Sequence, residues 1–153
     1  MLPWSRHPVS ELMRSVLPVP LLLILVLVAL GLGGCGGSQV QTARTETMDA
    51  WESLVRWSQF DALIDFIHPE YLSEQPISQL DVDRLHQFRV TEYRVRQVLV
   101  DPDGHELERL ARLRLYHIHS ARERVVDHRE VWRYDDDLGR WMLHSGLPDP
   151  RQR

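Results

Sequence analysis

An imidazole and a carboxylate two residues apart, His128 and Glu130, are the side chains of this sequence best suited to move a proton or grip a polar ligand. In an extended segment, side chains two apart project from one face. Trp132 extends that face, and His144 joins it if a hairpin through the Asp-rich stretch pairs 132 with 142. His128, Glu130, Trp132 and His144 would then floor a pocket. The alternative is that the carboxylate and an imidazole pair only to satisfy each other, which is preferred because buried charge is normally compensated. His117 and His119 have the spacing of two metal ligands on a strand. A two-residue motif among eight histidines arises readily by chance, so no metal is assigned. Asp135-Asp136-Asp137 offers clustered oxygens of the kind calcium favours, but it reads as a solvated turn. No Ser/His/Asp arrangement or glycine-rich phosphate loop is present, and the sole thiol, Cys35, directly follows an apolar run. No catalytic residue and no cofactor are expected.

These side chains must be positioned by two kinds of element. Thr47 to Trp57 predicts a helix, with Trp51, Leu54 and Val55 on one face. Asp61 opens a second helix that His68-Pro69 ends. Glu70 to Pro76 reads as a connector, and Ser78 to Gln87 as a short third helix. From Phe88 the period changes to two. Phe88–Val100, His105–His119, Arg124–Tyr134 and Arg140–Ser145 read as strands, separated by turn-forming stretches such as Asp101-Pro102-Asp103-Gly104. Short turns imply antiparallel neighbours. The expected fold class is α+β: N-terminal helices packed on a curved, cone-like four-stranded antiparallel meander. Pairing 115 with 128 and 113 with 130 puts Leu113, Leu115, His117, Val126, His128, Glu130, Trp132, Met142 and His144 on the helix-facing side. Glu108, Arg112, Arg114, Asp127, Arg129 and Arg133 fall on the other, as a solvated surface of mixed charge or a docking face for an acidic partner.

The first 34 residues have a different character. A net positive segment bearing Arg6 and Arg14 precedes a continuous apolar stretch, Leu21 to Leu32, and the small residues Gly33 and Gly34. That is the layout of a secretory signal peptide. The apolar run is short of the roughly 20 residues that span a bilayer. Leu32-Gly33-Gly34-Cys35 resembles the lipobox of bacterial lipoproteins: an aliphatic residue, two small residues, then cysteine. The resemblance implies lipid attachment at Cys35, cleavage between Gly34 and Cys35, and acylation of the new amine. Several acyl chains, each methylene contributing about 0.8 kcal/mol, would hold the protein to membrane lipid without spanning it. Gly36, where aspartate would signal inner-membrane retention, implies an outer-membrane location with the domain facing the periplasm. The periplasmic face of the inner membrane is the alternative.

Loss of the leader removes Arg6, Arg14 and Glu11 and moves the formal charge from −4 to −5. A mildly acidic protein lacks the basic face that nucleic acid requires, so no nucleic acid partner is expected. Without an internal disulfide, the exported domain must fold on apolar burial alone. Gly36 to Arg44 reads as a flexible tether of roughly 15–18 Å. The expected organisation is residues 1–34 as signal peptide, 35–45 as lipidated cysteine and tether, and 46–153 as a single α+β domain.

The Phe60-Asp61-Ala62-Leu63-Ile64-Asp65-Phe66-Ile67-His68-Pro69 stretch, followed by a meander closing with Trp132-Arg133-Tyr134 and Gly139-Arg140-Trp141, resembles the nuclear transport factor 2-like superfamily. The resemblance implies a curved sheet around helices, often with a cone-shaped pocket. It transfers no catalytic motif. The expected function is that of an envelope lipoprotein whose domain binds a small ligand or a protein partner without catalysis. The alternative is a small isomerase, dehydratase or hydrolase using His128 and Glu130 as acid and base. An enzyme needs a pocket that reaches those groups, whereas structural groups would be packed over.

Overall fold

A computed structural model describes residues 36–151. The expected leader, Gly34–Cys35 cleavage site and Cys35 lipid-attachment site lie outside the described residues. No described helix is long and apolar enough to cross a membrane.

Helix α1 spans Gly36–Arg56. Trp51 and Val55 are fully buried, and Val40, Ala43, Met48 and Leu54 pack against the same core. These positions recur at helical spacing, so one apolar stripe continues through most of the helix. This corrects the tether expected over residues 35–45: from Gly36 the chain is helical. The Trp141 indole N–H donates to the Val40 carbonyl at 3.1 Å, tying the early part of α1 to the sheet. Thr47 is therefore interior to a helix instead of capping one. Tertiary burial of Val40 and Ala43 overrides the weak helix propensity of Gly36-Gly37-Ser38.

After α1 a 3-10 segment, Phe60–Phe66, replaces the expected second α-helix and buries Phe60 and Leu63. Pro69 then starts α2 (Pro69–Glu74), where a connector was expected. Proline's fixed φ and missing N–H suit a first helical position, and the His68 ring accepts from the Glu70 N–H as the cap. Helix α3 (Gln79–Leu85) begins with a reciprocal capping box between Ser78 and Asp81 and buries Val82 and Leu85.

Four strands follow: β1 Phe88–Val100, β2 Glu106–His117, β3 Glu123–Asp135 and β4 Arg140–Leu143. They form an open antiparallel sheet in the order β1-β2-β3-β4. The fold is α+β, helices first and then the meander. Tyr93, Leu107, Ala111, Leu113, Leu115, Val126 and Trp132 face the helices and are buried. Two bulges, at Val90/Glu92 and Val95/Gln97, absorb extra residues in β1.

The β2–β3 register differs from the expectation by an even number of residues. Leu113 pairs with Val126, Ala111 with His128 and Arg109 with Glu130. Because side chains alternate with a period of two, such an offset leaves every residue on its expected face. The β3–β4 hairpin differs by one: Trp132 pairs with Leu143. That single step turns Trp141 and Leu143 toward the helices, while Met142 is buried on the other side of β4 and His144 is half-buried there. Trp141 brings a large ring into the core and finds an acceptor for its N–H in the Val40 carbonyl.

Candidate functional site

Glu130 sits mid-strand in β3 and is completely buried. Its Oε1 accepts from the Trp51 indole N–H at 2.9 Å and the Tyr93 hydroxyl at 2.7 Å. Its Oε2 accepts from the Trp132 N–H at 3.2 Å and lies 2.9 Å from Arg109 Nε. The Arg109 Nε contact is ionic, with an angle outside hydrogen-bond range. Arg109 Nη2 donates to the Tyr93 hydroxyl, which in turn donates its own hydrogen bond to Glu130. Helix α1 thus supplies one donor, β1 another, β2 the cation and β3 the carboxylate together with a third donor. A buried carboxylate needs such a set, since isolated charge in a core is strongly disfavoured.

The site's electrostatics hold it in one protonation pattern. Burial, and then the Glu130 charge, push the Tyr93 phenol far above its ordinary range, with Arg109 opposing, so Tyr93 remains protonated and donating. Burial holds His128 below the usual imidazole range; Glu130 pulls the other way and Arg109 reinforces the depression. His128 is therefore neutral at neutral pH. Its ring stacks on Trp51 with centroids 6.4 Å apart, and its Nε2 has no hydrogen-bond partner.

Of the four residues expected to floor a pocket, three come together and one does not. His128, Glu130 and Trp132 share the inner face at 4%, 0% and 0% exposure. They are roofed by Trp51 and Phe66, so no open pocket reaches them. His144 projects from the opposite face, the result of the one-residue step in the hairpin. There it stacks on His68 with centroids 4.5 Å apart. His68 Nε2 lies 3.0 Å from Asp135 Oδ2, while Nδ1 accepts from Glu70. That pattern places the ring proton on Nε2, donated to Asp135. The Leu138 N–H, and then His68, hold the Asp135 carboxyl below its usual range.

Arg109 was missed in the sequence. It shares parity with Leu107 and Ala111, so the alternation does place it inward, and a cation inside an apolar stripe was the available signal. The histidine pair does not build a metal site. His117 ends β2, its Nδ1 takes up the Ser120 N–H, and His128 lies opposite Ala111, far along the strand. Among the described residues no group of three His, Cys, Asp or Glu side chains converges for a metal ion.

An open cavity lies elsewhere. A cleft of about 650 Å³ opens between α2, α3 and the C-terminal segment 145–151. Tyr71, Ile77, Leu85 and Leu147 supply its apolar wall, and Arg84, Arg124 and Arg151 with Asp81 and Asp149 supply charge of both signs. Arg124 donates to the Pro150 carbonyl at 3.0 Å and lies over the Phe88 ring. Gly146, at φ +74°, lets the backbone pass so close to Tyr71 that a Cβ there would meet its hydroxyl at 2.6 Å. The cleft escaped sequence reasoning because it exists only where the tail folds back over the helices.

No family model matches the chain, and no curated protein matches it. Among solved structures, it is similar to the solution structure of a SEC-C motif containing protein from Rhodopseudomonas palustris. The two share 15% identity over 64% of this chain and 70% of that one, with a TM-score of 0.48. A likeness of that size transfers no function.

Proposed function

We propose that this protein is a lipid-anchored envelope lipoprotein whose α+β domain is a non-catalytic binding module for a small ligand or a protein partner. The observation that carries the binding half is a contrast in access. The cluster of His128 and Glu130 is sealed, with the carboxylate compensated by Arg109, while the cleft by the C-terminal segment is open. A module of this kind needs an accessible surface and has no need of reactive groups. The acid–base enzyme would require substrate to reach His128 and Glu130, and no observation favours it. The resemblance to the nuclear transport factor 2-like superfamily belongs to this reading: its members include binding domains with helices packed on a curved meander.

The anchoring half rests on Leu32-Gly33-Gly34-Cys35 and the signal-peptide layout before it. Gly36 in place of aspartate directs the proposed location to the periplasmic side of the outer membrane. Palmitate labelling and membrane fractionation of the Cys35→Ser variant test this half. Labelling should vanish and the domain should leave the membrane fraction. Continued labelling of the variant would refute attachment at Cys35.

A further inference from the structure

We infer that the end of the domain carrying Val98, Leu99, Val100 and Leu138 rests directly on the bilayer that holds the Cys35 acyl chains. This rests on the lipid-anchor reading above and adds to it an orientation and a contact surface.

The first observation is the lack of a spacer. Cys35 is peptide-bonded to Gly36, and Gly36 is already part of α1. Within about one helical turn the helix is tied to the sheet, through Val40 and the Trp141 N–H. A flexible linker would let the domain tumble at a distance. A helix that is part of the core fixes which end of the domain is closest to the acyl chains.

The second observation identifies that end. Two hairpin turns lie beside the early part of α1. Gly104, in the β1–β2 turn, is close enough to Gln41 that an added Cβ would meet its side chain at 3.8 Å. Gly139, in the β3–β4 turn, lines one small cavity with Gln39 and Thr42. Gln39 and Gln41 lie only roughly 5–8 Å along the helix axis from Gly36 at 1.5 Å per residue. Both turns are therefore within reach of the surface to which Cys35 is attached.

The third observation is what these turns expose. Val98, Leu99 and Val100, the last three residues of β1 before its turn, are 51%, 54% and 47% exposed. Leu138, in the other turn, is 49% exposed. Consecutive apolar side chains open on both faces of an edge strand are an association hazard in free solution. Buried at a membrane interface to a depth of roughly 5–10 Å, they are an asset. Asp101, Asp103, Asp136 and Asp137 stand on the same turns, so the surface suits zwitterionic headgroups and is repelled by anionic ones.

The test uses full-length acylated protein in vesicles of phosphatidylethanolamine and acyl-brominated phosphatidylcholine. Cys35 is blocked by lipid, so Leu99→Cys, Leu138→Cys and His119→Cys each introduce one thiol for a polarity-sensitive fluorophore. His119 lies past the other end of β2, roughly 35–40 Å away along a 12-residue strand. Labels at 99 and 138 should shift to the blue and lose most of their emission to bromine, while the label at 119 keeps its emission. Adding anionic lipid should reduce the quenching at 99 and 138. Acylated protein with equal quenching at all three positions, or none at 99 and 138, overturns the docking and leaves the anchor standing. Protection of 99 and 138 in cell envelopes but not in vesicles assigns the face to a protein partner and overturns it as well. A mass spectrum without the acyl addition overturns the anchor reading and this inference together.

Discussion

Strands β2 and β3 carry arginine–carboxylate pairs on both faces of the sheet, and the two faces make opposite use of the same chemistry. Outside, Arg112 meets Asp127 at 2.7 Å, Arg129 meets Glu108 at 2.6 Å and Arg133 meets Glu106 at 2.9 Å. Inside, Arg109 meets Glu130 at 2.9 Å. The separations are nearly equal, so distance cannot distinguish the pairs. Water does: the outer side chains are between about a third and two thirds exposed, and the inner ones are 6% and 0% exposed. In high dielectric the attraction is weak and screened. In the core each charge depends on its partner, and losing one leaves the other stranded.

Several variants would break or sharpen this contrast. The largest effect should come from Glu130→Gln, which leaves the Arg109 cation unpaired among aromatic rings; urea denaturation should show a loss of about 3–5 kcal/mol. A loss under about 1 kcal/mol would place the inner pair in the same class as the outer ones. Next, a double-mutant cycle of Arg109→Met with Glu130→Gln should return a coupling energy of about 0.5–3 kcal/mol. Additive losses would mean that the two groups fold in without sensing each other.

The pH dependence is next in size. His128 has a folded pKa below its unfolded value, so the unfolded chain binds more protons as pH falls. Its contribution is complete above the unfolded imidazole value, near pH 6.5, and is lost as pH drops toward the depressed folded value, at up to about 1.4 kcal/mol per pH unit. His144 is shifted in the same direction, chiefly by burial, so it shares the slope. His128→Leu should flatten the stability profile between pH 7 and 5 without abolishing it; an unchanged slope would locate the proton uptake elsewhere. The smallest effect belongs to the outer lattice. Arg112→Ala should melt within about 2 °C of the parent, with the difference erased in 1 M salt.

Much of the fold was legible because it rests on local patterns. Phe88–Val100 alternates, ends at Asp-Pro-Asp-Gly and forms β1 with those bounds. Ser78 and Asp81 cap the helix expected after them. The inner placement of His128, Glu130 and Trp132 survived an error in register because the offset was even. His144 did not survive, because the hairpin differed by an odd step. Arg109 was legible by parity alone, but an arginine flanked by Glu108 and Leu110 reads as surface until a buried carboxylate is placed opposite it.

Composition, periodicity and turn chemistry are properties of neighbouring residues, so the sequence by itself determined an α+β order of elements, an inner and an outer sheet face, and an apolar run followed by a single cysteine. The tertiary structure decided what those residues do to one another. It closed the acid–base group under Trp51, drew residues 36–44 into a helix, opened a cleft behind the C-terminal segment and set the exposed end of β1 and the β3–β4 turn beside the early part of α1. Each depends on segments distant in the chain meeting at a particular register, where burial changes the energy of a charge or an exposed leucine far more than its neighbours in sequence do.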